Sequence, residues 1–137
     1  MLGFEKKNEK DVKSLADRFK LFFNCEFFKN RIVIWAISLS LFFNLANWFS
    51  IWYFVEPVDF PIILHYNVYF GVDMTGDWKK IFFLPGLGLL LFFINFFLAF
   101  YFFKKSEKIA GHILLMAGLM VQISLIIASF STILINY

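Results

Sequence analysis

One stretch of the chain reads IFFLPGLGLLLFFINFFLAFYFF, from Ile81 to Phe103, and contains no charged residue. At a rise of about 1.5 Å per residue, a helix of this length crosses the roughly 30 Å of hydrocarbon in a bilayer. Two stretches of the same character lie on either side of it, at Ile32–Phe54 and Ile109–Ile135. The sequence therefore predicts an all-α membrane protein with three transmembrane helices.

The overall composition favours the same class. Of 137 residues, 61% are hydrophobic and 22 are Phe, while only 17% are charged, below the share of about 25% that is typical of soluble domains. The single cysteine, Cys25, excludes a disulfide within the chain. We therefore expect lipid, not water, to be the solvent of most of this chain.

The distribution of Lys and Arg predicts the orientation. Basic side chains gather in the first 31 residues and in the short link between the second and third spans, at Lys104, Lys105 and Lys108. These two regions lie on the same side of a three-helix chain, and an excess of basic residues marks that side as cytoplasmic. The bias toward Phe, Ile, Lys and Asn is typical of an AT-rich bacterial genome. We expect a bacterial inner-membrane protein with a cytoplasmic N-terminus, an extracytoplasmic C-terminus and an outer loop at residues 55–80.

The N-terminal segment has the pattern of an amphipathic helix between Asn8 and Phe28. Apolar residues recur there at helical spacing, with basic residues between them: Val12, Leu15, Ala16, Phe19, Phe22, Phe23 and Phe27. Such a helix lies on the inner leaflet. Residues 1–30 are thus predicted to be a cytoplasmic interfacial segment that precedes a membrane domain at residues 31–137. Docking onto a cytoplasmic partner is the alternative interpretation of this segment.

Four amides lie within the predicted spans and suggest an interhelical polar cluster: Asn44, Asn47, Asn95 and Gln122. Counting from the ends of the spans puts three of them, Asn44, Asn95 and Gln122, within about one 5.4 Å turn in depth. The third span also carries small residues at sevenfold spacing, with Gly111 and Gly118 beside them: Ala110, Ala117, Ser124 and Ser131. Amides that join helices, with small residues that allow close approach, are the favoured interpretation. A transport site is the alternative, but no ionisable group lies near the midplane to support it.

The outer loop has the two-residue period of a strand. From Ile62 to Phe70, apolar residues alternate with residues such as His65 and Asn67. We predict an ordered cap with a short β segment, for which Tyr53–Val58 is a candidate partner strand. The residues expected to hold this cap are His65, Asn67, Gly71, Asp73, Gly76, Asp77 and Trp78.

The same loop offers only weak signals for metal binding or catalysis. Carboxylates at Glu56, Asp59, Asp73 and Asp77 are suitable ligands for calcium or magnesium, but they lack the spacing of a ligand loop. His65 has no Ser or Cys nucleophile near it in the sequence. We therefore expect no cofactor, no metal site and no catalytic residue, and interpret the acidic groups as solvated or turn-capping.

Several residues of this region resemble the P-x-H-x-N…G…D signature of a small membrane domain that also occurs in SdpI-type immunity proteins. They are Pro61, His65, Asn67, Gly71, Asp73 and Gly76, followed by Trp78 and Pro85. The wider span Leu64–Asn136 resembles small three-helix membrane proteins of candidate-phyla-radiation bacteria, a resemblance that implies no particular activity.

Two classes of function fit these features. The first is a non-catalytic membrane protein, a subunit or binding partner in a membrane complex or homo-oligomer. The second is an immunity-type protein that captures a membrane-active peptide. A small transporter or channel component comes third, because three helices enclose little volume. The expected partners are the lipid bilayer and another membrane protein or a second copy, and not nucleic acid.

Overall fold

The computed structural model describes residues 25–136. Most of the predicted amphipathic helix Asn8–Phe28 lies outside the described residues. The chain divides into two compact units, Met1–Ile34 and Trp35–Tyr137.

In the described part of the first unit, a one-turn helix, α1 (Glu26–Lys29), is followed by the start of α2 (Arg31–Phe54). Asn30 separates them in an extended conformation, with φ −80° and ψ 119°. Its Oδ1 accepts hydrogen bonds from the backbone N–H of Ile32 at 2.9 Å and of Val33 at 3.4 Å. Asn30 is thus the N-cap that begins α2.

The second unit contains the rest of α2, a two-stranded hairpin and two further long helices. The hairpin strands are β1 (Ile62–Asn67) and β2 (Gly71–Gly76), and a 3₁₀ helix (Trp78–Phe82) leads into α3 (Phe83–Lys104) and α4 (Lys108–Asn136). Within residues 25–136, three helical spans are long and apolar enough to cross a membrane: Arg31–Phe54, Trp78–Lys104 and Lys108–Asn136. The prediction of three such helices is confirmed, and the described residues are mostly helical, at 75%.

A tight link reverses the chain between α3 and α4. Ser106 adopts the left-handed conformation, with φ 65°. Around it, the N–H of Ser106 donates to the carbonyl of Phe103, and the N–H of Glu107 donates to that of Phe102, which satisfies carbonyl groups at the end of α3. The two helices are therefore antiparallel neighbours. We call this end of the bundle the link end and the opposite end the hairpin end.

The β-hairpin corrects the expected strand pairing. β1 pairs antiparallel with β2, from Ile62 opposite Gly76 to Asn67 opposite Gly71, and not with Tyr53–Val58. The reason is local: Gly71 has a φ of +78°, and Asn67 Oδ1 accepts a hydrogen bond from the Tyr69 N–H at 2.9 Å. Together they close a short turn that returns the chain at once.

Most of the surface of the long helices faces outward. Only 28%, 22% and 22% of the most apolar window of each span is buried within the chain. The buried face of α2 carries Ser40, Asn44, Asn47 and Ser50. Its exposed face carries Trp35, Phe42, Phe49 and Trp52. Polar residues inside and aromatic residues outside are the arrangement expected in lipid.

Candidate interaction surfaces

Two of the predicted amides meet in the interior and join all three long helices. The Asn44 Nδ2 group donates to Gln122 Oε1 at 3.1 Å and to the Pro85 carbonyl at 3.0 Å. The Gln122 Nε2 group donates to the Gly88 carbonyl at 2.7 Å. Asn44 is 2% exposed and Gln122 is 1% exposed. This amide junction is fully inside the bundle, where buried polar groups need hydrogen-bond partners.

Glycine at position 88 makes the amide junction possible. A Cβ at this position would lie 2.8 Å from Asn44 Nδ2 and 2.8 Å from Gln122 Oε1. Real Cβ atoms do not approach other heavy atoms this closely, so any side chain here displaces the amides. Gly88 therefore permits the close contact of α3 with the other two helices.

Asn95 lies outside the amide junction, contrary to the depth count. Its Nδ2 donates to the carbonyl of Leu91 in its own helix, at 2.9 Å. It faces Gly118, where an added Cβ would lie 3.3 Å from Asn95 Cβ. Along α3, Gly88 lies at the level of Gln122, and Asn95 is seven residues further on, or about 10 Å.

Asn47 is buried, but the oxygen of its side-chain amide has no hydrogen-bond partner. The residue is 1% exposed, and its Oδ1 is the one buried side-chain polar atom among residues 25–136 without a hydrogen-bond partner. An unpaired buried acceptor costs roughly 1–3 kcal/mol. The structure therefore places Asn47 in the polar interior stripe of α2 but not in the amide junction.

The predicted cap residues fix the geometry of the hairpin. The register shifts at Leu64 on β1 and shifts back at Asp73 on β2, which leaves a bulged residue on each strand. The bulged Asp73 turns its Oδ1 to His65 Nδ1, at 2.7 Å. Both side chains are well exposed, at 62% for His65 and 42% for Asp73, so the pair adds at most about 1 kcal/mol to stability.

The remaining cap residues connect the hairpin to the 3₁₀ helix that follows it. Gly76 packs closely against β1, because an added Cβ would lie 2.9 Å from Leu64 Cδ1 and would make that side chain shift. Asp77 Oδ1 accepts a hydrogen bond from the Lys79 N–H at 2.8 Å and so caps the 3₁₀ helix. The Trp78 ring packs edge-on against Phe82, with centroids 6.3 Å apart.

The acidic residues of this region do not form a cluster that could bind a metal ion. Within residues 25–136, no group of three or more His, Cys, Asp or Glu side chains is placed to hold a metal ion. Asp73 and Asp77 have the local contacts just described, with His65 and with the start of the 3₁₀ helix.

An anchor that the sequence analysis missed ties the hairpin to α4. The Asn136 Nδ2 group donates to the Ile63 carbonyl at 2.7 Å, and its Oδ1 accepts from the Ile63 N–H at 2.8 Å. The side chain thus pairs with the outer edge of β1 as another strand would. Below it, Ile51, Ile81 and Ile133 form a buried cluster against which Leu64 packs. An amide directly after the last residue of a predicted span is the signal that would have suggested this contact.

A cavity of about 270 Å³ lies beside the hairpin anchor. Its walls are mainly apolar and come from the end of α2, the loop that follows, β1 and the end of α4. Its polar lining groups are Glu56, Thr132 and Asn136. Thr132 and Asn136 already bond the backbone of β1, which leaves an apolar cavity with one carboxylate at its wall.

The surface of α4 carries two different seams. The inner seam is buried against the rest of the chain and contains Gly111, Leu115, Gly118, Gln122, Ser129 and Thr132. The outer seam is formed by two sets of residues at sevenfold spacing. One set is small, Ala110, Ala117, Ser124 and Ser131, and the other is large, Ile113, Met120, Ile127 and Leu134.

The outer seam is open to the surroundings. Its four large residues are 63%, 62%, 63% and 73% exposed. Among its small residues, Ala117, Ser124 and Ser131 are exposed and Ala110 is half-buried. In heptad terms, small residues occupy every a position and large apolar residues every d position over almost four repeats. The small set was expected to allow close approach within the bundle, but it faces outward. The large set is not distinctive in so apolar a helix and was not predicted.

Comparison with protein-family models, curated proteins and solved structures finds no match to this chain.

Proposed function

We propose that this protein is a non-catalytic subunit of a membrane assembly and that it associates with other copies of itself through the outer seam of α4. The observation that carries the proposal is the heptad pattern of this seam combined with its exposure. A pattern of this length predicts helix pairing, yet no helix of the described chain covers it.

The physical basis is packing rather than hydrophobic burial. Lipid tails are as apolar as Ile or Leu, so helices associate in membranes where their surfaces fit closely. Small residues at a let two backbones approach, and the large residues at d fill the space between successive close contacts. The Ser124 hydroxyl already donates to the Met120 carbonyl at 3.0 Å, so this part of the seam needs no water.

A second copy is well suited to supply the facing helix. Copies in one membrane share orientation and depth, so their outer seams run parallel and in register. Each layer then pairs like with like, small with small and large with large, around a two-fold axis. A sevenfold repeat on an α-helix favours a shallow left-handed crossing.

The outer faces of the other helices lack this pattern. The exposed residues of α2 include Trp35, Phe42 and Phe49, and those of α3 include Phe93, Phe97 and Tyr101. Bulky aromatic surfaces of this kind are suited to lipid contact and do not allow close backbone approach. This difference supports α4 as the assembly helix.

Two-tag copurification tests the proposal. Copies of the full chain with different tags are expressed together and extracted in a mild detergent, and we expect each tag to recover the other. Ala117→Phe with Ser124→Phe should abolish this recovery, because bulk at a separates the helices. The control is Ile94→Phe with Leu98→Phe on the exposed face of α3, which should have no effect.

Three results would contradict the proposal. Copies that never copurify would exclude self-association, and copurification that survives the double Phe substitution would exclude the seam. Recovery of a different stoichiometric protein in place of a second copy, identified by mass spectrometry, would show that α4 pairs with another partner.

The location of the assembly follows from the charge asymmetry of the chain. We place the link end in the cytoplasm of a bacterium and the hairpin outside, since basic residues flank the link end. In a Cys25→Ser background, a cysteine at Thr75 should react with an impermeant thiol reagent on intact cells, and one at Ser106 should not. The reverse labelling pattern would invert this topology.

The hairpin-end cavity favours a second candidate function, the capture of a membrane-active peptide. Its apolar walls and the Glu56 carboxylate suit an apolar segment that carries a basic side chain. Cells that lack the protein would then be more sensitive to such a peptide, and Glu56→Gln would weaken the protection. Equal sensitivity with and without the protein would dismiss this candidate.

A further inference from the structure

The tip of the hairpin is unusually apolar for a turn. Its three residues, Val68, Tyr69 and Phe70, are 83%, 90% and 84% exposed. Turns in water usually contain Gly, Asn, Asp or Ser, which either permit the required backbone angles or bond to the backbone. Those tasks are performed here by the flanking Asn67 and Gly71. The three tip side chains are therefore free to serve another purpose.

We propose that this tip inserts into the lipid headgroup region of the membrane, on the side where the hairpin lies. The tip then acts as a lipid contact separate from the outer seam of α4, and it does not depend on self-association.

The position of the hairpin supports a lipid surface as the occupant. Its base is bonded to Asn136, the last residue of α4, and so is held at the end of a membrane-spanning helix. The tip lies about five strand residues beyond Ile63, a distance of roughly 17 Å. The proposal therefore requires the hairpin to lie along the membrane surface, because the headgroup region is only about 5–8 Å thick on each side.

The charge pattern also supports insertion. Seven consecutive residues, from Tyr66 to Val72, carry no charged side chain. The ionisable groups that flank them, His65 and Asp73, contact each other at 2.7 Å, so neither enters the interface without a polar partner. Asp59 lies in the loop before β1, outside this uncharged segment.

The aromatic residues at the same end of the bundle extend this surface. Trp52 is 70% exposed and Tyr53 is 65% exposed, at the end of α2. Trp and Tyr concentrate at membrane interfaces because one part of the ring system is apolar and the other part forms hydrogen bonds. Tyr69 and Phe70 add to this belt from the hairpin. The rim of a protein interface is usually polar and often charged, whereas the tip offers no charged side chain from Tyr66 to Val72.

Spin labelling of the full chain tests the proposal. The probe is a nitroxide on a cysteine at Tyr69 in a Cys25→Ser background, in vesicles of phosphatidylethanolamine and phosphatidylglycerol. Reference labels are placed at Asp59 for water and at Leu45, which is 66% exposed in the middle of α2, for lipid. We expect the label at Tyr69 to collide more with oxygen than with a water-soluble nickel chelate, as at Leu45 and opposite to Asp59.

Two results would overturn the proposal. Nickel access at Tyr69 equal to that at Asp59 would place the tip in water. Shielding from both oxygen and nickel would instead indicate a protein contact. The same measurement in the Ala117→Phe, Ser124→Phe variant should leave the ratio unchanged, so its outcome is separate from that of the self-association experiment.

Discussion

The two seams of α4 differ by one residue in phase and have opposite surroundings. Gly118 and Gln122 on the inner seam are buried against α2 and α3, while Ala117 and Ser124 on the outer seam are exposed. Adjacent residues of a helix point about 100° apart, so one helix presents both surfaces at once. Glycine permits the tightest approach and glutamine supplies hydrogen bonds, and these two residue types distinguish the seam used within the chain. Alanine and serine with large apolar neighbours characterise the seam left for another helix.

The largest expected loss of stability comes from a substitution in α3 that disrupts its contact with the inner seam of α4. Gly88→Ala should lower the free energy of unfolding in detergent by about 1–3 kcal/mol, because the added methyl group meets both amides of the junction. Gly86→Ala is the matched control in the same helix, where an added Cβ meets nothing within 4 Å. This control should be neutral or stabilising by up to roughly 1 kcal/mol. Equal melting shifts for the two variants would mean that the close approach at Gly88 is absent.

A smaller effect separates the two kinds of amide. Gln122→Leu should cost about 1 kcal/mol of unfolding free energy, because it leaves the Gly88 carbonyl and Asn44 with fewer partners. Asn95→Leu should cost less, since its side chain bonds only within its own helix. Chemical denaturation in detergent measures both. A larger loss for Asn95→Leu than for Gln122→Leu would show that the junction has been assigned to the wrong amides.

The smallest effect on stability belongs to the outer seam. Ala117→Leu changes an exposed position, so the unfolding free energy of the isolated chain should stay within about 0.5 kcal/mol of the unsubstituted protein. Denaturation is measured in excess detergent, where copies are diluted apart. A loss as large as that of Gly88→Ala would mean that Ala117 packs within the chain, and the two seams would no longer differ.

Much of this architecture is readable from the sequence, because it depends on local composition. Uncharged runs of sufficient length predicted the three helices, and the alternation around His65 predicted β1. The strand partner was missed because the alternation was interpreted as one strand through Phe70, whereas Asn67 and Gly71 close a turn at residues 68–70 and β2 begins at Gly71. The predicted depth of Asn95 was wrong because it assumed that the ends of the three spans lie at the same depth. The contacts of Gly88 with Gln122 and of Gly118 with Asn95 show the actual offset between α3 and α4.

The candidate surfaces were less predictable than the fold. Whether a small residue faces its own chain or the outside depends on tertiary packing, and both seams of α4 have the same spacing. The bond of Asn136 to Ile63 joins positions far apart in the sequence, so no local pattern reveals it.

Cysteine cross-linking along α4 tests self-association through the outer seam most directly. Single cysteines at Ala117, Ser124 and Ser131 in a Cys25→Ser background are oxidised in native membranes, with Met116 and Phe130, both 40% exposed, as positions off the seam. Pairing through the outer seam predicts strong disulfide dimers at the first three positions and weak ones at the two controls. Uniform cross-linking at all five positions, or none at Ala117, Ser124 and Ser131, would contradict it.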